Sequence, residues 1–280
     1  MILAPLRGVT IRTFREVFAE VLVEAGFTEA ITPFIPAMRG LDPLKDRELR
    51  GTSSLPITPQ FIGKDPAALR EALKRVKDAG FEMADLNCGC PFPMVRNKGR
   101  GSGLLKTPDV LRRMLEVGCE EMGEGRFSLK ARLGVDQKDE LLKLMPIINQ
   151  FPLRFLTVHG RIARQMYEGE CDSAAVREVL AAAKVPIVLN GDLSVASAKP
   201  EGVQDLMVGR SFLRSLGERD DIGALLNRYI EASAAELCGD KSVLGRLKEL
   251  IAYWKDLPRW HRRWQILKLC RNISELRSTL

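Results

Sequence analysis

Short apolar segments recur along the first 210 residues and alternate with longer stretches in which apolar positions follow a helical period. The short segments predict eight β-strands, at residues 2–4, 29–35, 57–62, 83–87, 127–133, 155–159, 187–190 and 205–208. The longer stretches predict helices at 11–24, 66–79, 108–121, 138–149 and 173–183. Asp65-Pro66 and Thr107-Pro108 are typical helix starts, with a capping residue followed by proline at the first helical position.

Eight strands that alternate with helices predict a parallel sheet, and eight is the number that closes a barrel. An open, doubly wound sheet is the alternative, but no Gly-x-Gly-x-x-Gly follows the first strand. The connection at 193–203 contains Pro200 and Gly202, so any helix there has at most two turns. From about residue 220 the pattern is purely helical, at 222–237, 243–257 and 260–270. We therefore predict an α/β fold: a TIM (β/α)₈ barrel over 1–218, then a small all-α C-terminal domain over 219–280.

Composition is that of an ordinary globular protein, with 45% hydrophobic residues and a mean hydropathy of -0.08. No segment approaches the roughly 18 consecutive apolar residues of a membrane span. The first residues do not form a secretory signal, and the six cysteines contain no Cys-x-x-Cys pair, so we expect reduced thiols in the cytoplasm. We expect a monomer with no membrane partner. Cys88 and Cys90 lack the spacing and the second pair of a zinc site, so no metal is expected.

The net charge of +7 is confined to the end of the chain. Residues 1–240 carry 33 basic and 33 acidic side chains, whereas residues 241–280 carry 10 basic, 3 acidic and all three tryptophans. This asymmetry predicts a polyanionic partner, with RNA favoured and Arg259, Arg262 and Arg263 as its contacts. The alternative is a solvated helix face without a partner.

Candidate chemical residues lie where the predicted strands end, which is where active sites of such barrels are built. Lys130 and Arg132 point to the same side of strand five because side chains repeat every two residues. The glycine-containing turns after strands seven and eight suit a phosphate. The candidates at strand ends are Pro5, Leu6, Arg7, Gln60, Asn87, Cys90, Lys130, Arg132, His159, Asn190, Gly191, Asp192, Gly209 and Arg210.

The segment 85–91, Asp-Leu-Asn-Cys-Gly-Cys-Pro, is followed at 101–106 by Gly-Ser-Gly-Leu-Leu-Lys. Together they resemble the signature loop of tRNA-dihydrouridine synthases, and the Cys-Gly-Cys-Pro form is most similar to the bacterial C-type branch. The resemblance covers about residues 1–215. It extends in order to Ala4-Pro5-Leu6, Gln60, Lys130-Ala131-Arg132, His159-Gly160-Arg161, Asn190-Gly191-Asp192 and Gly209-Arg210.

This resemblance implies tightly bound FMN, NADPH as reductant, and a specific uridine of tRNA, in the D-loop, as substrate. Hydride would add to C6 of the uracil, and Cys90 would protonate C5 as general acid. Asn87, Arg132 and Tyr167 would hold the uridine. The flavin ring and ribityl chain would contact Pro5, Leu6, Arg7, Gln60, Lys130 and His159, and the phosphate would lie at Asn190, Gly191, Asp192, Gly209 and Arg210.

Three positions depart from the family pattern. Phe92-Pro93 stands where a small polar residue and a lysine or acid are usual, Ile11 replaces an aspartate, and Pro33-Phe34 replaces a strand end with glutamate. Two other functions remain open: an FMN-dependent barrel oxidoreductase acting on a free pyrimidine or other small molecule, and a non-catalytic RNA-binding protein. The first leaves the charge of the tail unexplained, and the second leaves Cys90 and Lys130 without a purpose.

Overall fold

The computed structural model of the protein describes residues 1–50 and 55–280. The strands in this part of the chain are β1 Ile2–Leu3, β2 Glu29–Ile31, β3 Ile35–Pro36, β4 Ile57–Thr58, β5 Gln60–Ile62, β6 Ala84–Cys88, β7 Phe127–Gly134, β8 Leu156–Ile162, β9 Ile187–Asn190 and β10 Asp205–Val208. The α-helices are α1 Arg12–Val17, α2 Ala19–Glu24, α3 Pro66–Asp78, α4 Pro93–Arg96, α5 Pro108–Met122, α6 Glu140–Ile148, α7 Ser173–Ala182, α8 Arg210–Leu216, α9 Ile222–Glu236, α10 Asp240–Ile251, α11 Pro258–Leu267 and α12 Ile273–Arg277. Short 3₁₀ turns include Gly101–Lys106 and Ala252–Trp254.

All recorded strand pairs are parallel, and the sheet closes on itself. β2 pairs with β4 and β3 pairs with β5, so the second and third predicted strands are hydrogen-bonded to each other along two short stretches. From β5 the sheet continues through β6, β7, β8, β9 and β10 to β1, and β1 pairs with β2. The predicted parallel barrel is therefore confirmed.

Each of the eight predicted strands is present, but the second and third are divided. Pro33 lies between β2 and β3, and Pro59 lies between β4 and β5. A proline has no N–H to donate, so it interrupts the ladder where it stands. The predicted helix 11–24 is likewise divided at Phe18, and the described connection 191–204 contains no helix. The short helices α4, α8 and α12 were not predicted.

The apolar core has two large parts. One joins the sheet to α3, α5, α6 and α7 on the outside of the barrel. The other joins β1, α1, α2 and α8 to the C-terminal helices α9 to α12 without a break. Trp254 and Trp260 are fully buried in this second part, where their indole N–H groups donate to the carbonyls of Leu213 at 2.6 Å and Gly217 at 2.7 Å.

The C-terminal helices are thus fixed against the barrel by aromatic packing, and a polar contact adds to it. Arg246 of α10 is 8% exposed and donates to Glu236 of α9 at 2.6 Å and to Thr13 of α1 at 3.3 Å. Within the described residues, no helix has the length and apolar character needed to span a membrane.

Candidate functional site

A cavity of about 690 Å³ lies at the carboxyl ends of the barrel strands. Fourteen of the residues predicted from strand ends and from the family resemblance line it together. They are Pro5, Leu6, Arg7, Asn87, Cys90, Lys130, Arg132, His159, Tyr167, Asn190, Gly191, Asp192, Gly209 and Arg210.

Strand register explains how residues distant in sequence meet here. Asn87 on β6 pairs with Lys130 on β7. Arg132, two residues later on β7, pairs with His159 on β8, and His159 pairs with Asn190 on β9. Because the strands are parallel, their functional side chains form adjacent rows at one end of the barrel.

The cavity wall is strongly cationic. Its lining includes six Lys or Arg side chains and two carboxylates, those of Asp192 and Asp256. Burial, together with the neighbouring charge of Arg132, lowers the pKa of Lys130 to about 8, and its Nζ donates to Asn190 Oδ1 at 2.9 Å. Burial and nearby cations also lower the pKa of His159 well below its ordinary value, so its imidazole is neutral at pH 7. The cavity therefore suits an anionic ligand.

Cys90 has a protonated thiol at the edge of this cavity. The residue is 7% exposed, and burial raises the pKa of the thiol above its ordinary value despite the nearby Arg132. Its backbone is held on both sides: Asn87 Oδ1 accepts from Cys90 N at 2.9 Å, and Ser102 Oγ donates to the Cys90 carbonyl at 2.8 Å. A neutral, positioned thiol can donate a proton, which is what a general acid requires.

Beneath the cavity, a chain of side-chain hydrogen bonds supports Asn87. Ser128 Oγ donates to Asp85 Oδ1 at 2.6 Å, and Gln60 Nε2 donates to Asp85 Oδ2 at 2.7 Å. Asn87 Nδ2 in turn donates to Gln60 Oε1 at 2.7 Å. Gln60 is completely buried and accepts from Asn87, so it supports the Asn87 side chain, and its contact with a flavin stays a prediction.

Asp192 lies in the turn that is expected to bind the phosphate, and its carboxylate is paired with Arg161. Its carboxylate accepts from Arg161 Nη2 at 2.8 and 2.6 Å, and Arg161 is 3% exposed. The carboxylate is thereby hydrogen-bonded to a buried guanidinium. An anionic ligand at this turn would therefore contact the backbone of the turn and not the carboxylate. That turn has left-handed backbone at Gly191 (φ 104°) and Asp192 (φ 52°).

Tyr167 is held over the cavity by two guanidinium groups. The Cζ atoms of Arg132 and Arg210 lie 5.3 and 4.9 Å from the centroid of the Tyr167 ring. The ring keeps 40% exposure, so the side chain is fixed and still accessible to a ligand. Its predicted place at the site is consistent with this geometry.

The C-terminal region contributes residues that the sequence did not reveal. Tyr253 and Lys255, just after α10, line the cavity, and Arg214 of α8 lines it from the adjacent side. Phe34 and Phe92 also line it, at two of the positions that depart from the family pattern. No local signal marks Tyr253 or Lys255, because they reach the site only through the packing of α10 on the barrel.

Arg259, Arg262 and Arg263 lie outside the cavity on α11. Arg259 and Arg262 are exposed, and Arg259 donates to the Arg219 carbonyl at 3.1 Å. Arg263 lies 5.6 Å from the Trp260 ring centroid. In the described part of the chain, no cluster of three or more His, Cys, Asp or Glu side chains could hold a metal ion.

Comparison with solved structures shows the same fold in an old yellow enzyme homologue and in morphinone reductase. An old yellow enzyme homologue from Zymomonas mobilis superposes with a TM-score of 0.53 at 13% identity, covering 76% of this chain and 85% of that one. Morphinone reductase in complex with tetrahydroNAD gives a TM-score of 0.51 at 13% identity, covering 80% and 86%. At such low identity the likeness concerns the barrel fold alone.

Sequence comparison gives closer relatives. A probable tRNA-dihydrouridine synthase of Rhodobacter capsulatus is 33% identical over 221 residues, 75% of this chain and 66% of that protein, so the chain spans just under two thirds of that relative. A tRNA-dihydrouridine synthase B of Vibrio vulnificus is 29% identical over the same shares. A tRNA-dihydrouridine(16) synthase of Haemophilus influenzae is 28% identical over 100% of this chain and 98% of that protein. The family model described as dihydrouridine synthase (Dus) matches residues 2–215, and the chain therefore belongs to the dihydrouridine synthase family.

Proposed function

We propose that the protein is a tRNA-dihydrouridine synthase that uses FMN and NADPH to reduce one uridine of tRNA to 5,6-dihydrouridine. The observation that carries this proposal is the buried, protonated thiol of Cys90 at the edge of a cation-lined cavity. The alignment with relatives that carry this activity in their names supports it.

The residues present fit a flavin mononucleotide. The cavity lies within the roughly 300–1,000 Å³ typical of cofactor sites, and its excess of cations favours a phosphorylated ligand. Gly191, Gly209 and Arg210 would hold the phosphate, while Lys130 and His159 would contact the ring. Bound there, a flavin supplies the hydride that it receives from NADPH and that adds to C6 of the uracil.

The chain's own contribution is binding, orientation and one proton. Cys90 donates its thiol proton to C5 of the base and regains it from solvent. Arg132 is fixed by donating Nε to the Gly89 carbonyl at 2.9 Å and Nη1 to the Ile162 carbonyl at 3.1 Å. This fixed guanidinium and the clamped Tyr167 orient the uridine beside the thiol. Neutral His159 adds no further positive charge to the wall.

For the target, we propose the uridine at position 16, in the D-loop. The Haemophilus influenzae relative named for that position aligns over the whole chain, including the C-terminal helices. We propose residues 219–280 as the part that selects the RNA, because the excess positive charge of the chain lies at residues 241–280, and residues 1–218 as the catalytic barrel.

A second candidate is an FMN-dependent oxidoreductase acting on a free pyrimidine. The cavity alone would accommodate a free base. Against it, the C-terminal region extends its cationic surface away from the cavity along α11, where a free base has nothing to contact. RNA turnover weakens steeply with salt, whereas turnover of an uncharged base does not, so salt dependence separates the two.

The test is turnover by the purified chain with NADPH and an unmodified tRNA transcript, followed by mapping of dihydrouridine. We expect a yellow protein that releases FMN on denaturation and modifies position 16. Cys90→Ala should lower RNA reduction by about 10²–10⁴-fold, because it removes a positioned general acid. NADPH should still bleach the flavin, since that step needs no proton from Cys90.

Cys88→Ala is the matched control. Cys88 is fully buried on β6 and packs in the core away from the cavity, so its loss should leave turnover near that of the wild type. A colourless protein that cannot be reconstituted with FMN would overturn the proposal. So would a large defect in Cys88→Ala combined with a mild one in Cys90→Ala.

A further inference from the structure

Two apolar side chains stand exposed immediately after the catalytic-site thiol. Phe92 is 48% exposed and Met94 is 83% exposed, although both follow Cys90 within four residues. Phe92 also lines the cavity, so it borders the site and the solvent at once. An exposed aromatic beside an apolar neighbour at a cavity mouth marks a contact surface for a large ligand.

This pair is presented on a rigid support. Val95 N and Arg96 N both donate to the Phe92 carbonyl at 2.9 Å, which forms the short helix α4. The loop is closed at its base by the bonds from Ser102 to the Cys90 carbonyl. Gly103 packs so closely on the Arg96 carbonyl that a Cβ there would overlap it. A ligand contacting Phe92 and Met94 therefore has no loop to order.

The surroundings of the pair are positively charged. Residues 86–108 contain four basic side chains and no acidic one. Lys106 forms ion pairs with Asp136 and Glu140 on the side of the barrel. In the ranges 1–50 and 55–280, Arg96, Lys98 and Arg100 form no ion pair, so their charge is free for an anionic partner. We call Phe92, Met94 and these three cations the loop platform.

A partner for this surface must offer both an apolar face and negative charge. Apolar and aromatic faces flanked by unpaired cations match nucleotides, which offer a flat base and a phosphate together. The continuity of Phe92 with the cavity places such a partner against the substrate of the cavity itself. A base extruded into the cavity leaves its neighbour without a stacking partner. Phe92 is placed to restore that stacking.

We propose that the loop platform binds the RNA next to the target uridine: Phe92 and Met94 stack on the neighbouring base, and Arg96, Lys98 and Arg100 bind the flanking phosphates. The inference rests on the proposed function and adds to it a contact surface on the barrel itself, separate in the chain from the C-terminal helices.

The two kinds of contact have different signatures in a titration of tRNA binding against salt. Stacking does not release counterions, so Phe92→Ala should raise Kd by about 5- to 150-fold at every salt concentration, with an unchanged slope of log K against log[salt]. Phe92→Trp should bind as the wild type does. Replacing Arg96, Lys98 and Arg100 by glutamine should flatten the slope by roughly 0.7–0.9 for each phosphate that is no longer neutralised.

Val23→Ala is the control for loss of an exposed apolar side chain, since Val23 is 54% exposed on α2, far from the cavity. Thermal unfolding verifies that each variant is folded. Wild-type turnover with an unchanged Kd for Phe92→Ala would overturn the platform alone, and this is also the result if the surface binds a protein instead. Absence of any RNA turnover by the wild type would overturn the proposed function.

Discussion

At the residue scale, the orientation of the Asn87 side chain is set by the Asp85 carboxylate, to which Asn87 is connected through the Gln60 side chain. Ionised Asp85 only accepts hydrogen bonds, so Gln60 must turn its Nε2 toward it and its Oε1 toward Asn87. Asn87 must then offer Nδ2 to Gln60 and Oδ1 to the backbone N–H of Gly89 and Cys90. A single negative charge thereby fixes the direction of both amides and the position of the Cys90 loop.

This polarity predicts a pH dependence. Burial, opposed by Ser128, Gln60 and Lys130, raises the pKa of Asp85 to about 6. Above that pH the ionised Asp85 carboxylate fixes the orientation of the Gln60 and Asn87 amides. Below it the protonated carboxyl group can donate a hydrogen bond, so both amides can turn over. We expect single-turnover RNA reduction to fall as pH drops through about 6. Asp85→Asn should be about 10²-fold slow and lose this acid limb, because a loop displaced by about 1 Å misplaces the thiol.

Ser128→Ala serves as the comparison, because it removes one bond to Asp85 and keeps the charge. It should retain the acid limb with a smaller loss of rate. Flavin content and the rate of NADPH oxidation report on folding in both variants. An Asp85→Asn enzyme with the wild-type rate and pH profile would show that the chain is not needed for positioning.

The sequence predicted which residues lie at the strand ends, but not which of them line the cavity and which support it from below. The two-residue period and the family motifs placed Lys130, Arg132 and Cys90 correctly at one cavity. The same reasoning could not separate a residue facing the cavity from one just beneath it. Gln60 lies one layer down, and the Asp192 carboxylate is engaged by Arg161, because side-chain partners depend on strand register across the barrel.

At the element scale, prediction worked where the local pattern is long and failed where it is short. Amphipathic helices such as α3 and α5 are marked by their period and by an initial proline. The short helices α4, α8 and α12 are seven residues or fewer, too short for a period to show. The second and third predicted strands are divided at Pro33 and Pro59. The sequence shows both prolines, but whether a proline interrupts a strand depends on whether the neighbouring strand would accept a hydrogen bond at that position.

Two helix glycines give a stability prediction that only packing can distinguish. Gly245 is exposed on α10, and a Cβ there would meet nothing within 4 Å. Gly118 is buried on α5, and a Cβ there would overlap the ring of Phe127. Gly245→Ala should raise the free energy of unfolding by about 0.5–1 kcal/mol through helix propensity. Gly118→Ala should lower it by about 1–3 kcal/mol through overpacking.

Urea or thermal unfolding of the flavin-loaded chain measures both changes. Propensity alone would stabilise the two helices equally, so equal effects of the two substitutions would refute the packing argument. Activity should be unchanged in Gly245→Ala, since the residue faces solvent away from the cavity.

At the scale of the whole molecule, the cations of residues 241–280 fall into two groups, those that bond within the fold and those that remain exposed. Some of its ten cations are used within the fold: Arg246 binds Glu236, Lys248 donates to the Lys268 and Cys270 carbonyls, and Arg277 pairs with Glu231. Others remain exposed on α11 and its neighbours. The prediction that the tail charge binds RNA stays a prediction, and it now concerns the cations that the fold leaves exposed.

Charge reversal of Arg259, Arg262 and Arg263 to glutamate tests this subset. If these side chains meet phosphates, tRNA affinity should fall and the salt slope should flatten by roughly one unit for each phosphate released. NADPH oxidation should not change, because it involves no RNA. The matched control reverses three exposed cations of the outer barrel helices, Lys74, Arg113 and Arg177, with the same change in net charge. Equal weakening in both triple variants would mean that only overall charge matters.

The sequence by itself determined the alternation of strands and helices, the barrel, the family and half of the residues that line the cavity. Each of these depends on a local period or a short motif, which the chain carries wherever it folds. Tertiary structure decided which tail cations are exposed, how Tyr253 and Lys255 come to line the cavity, and that Trp254 and Trp260 are core. These outcomes join segments that lie far apart in the chain, and such contacts are fixed by the packing of α8 to α11 on the barrel, which no local pattern encodes.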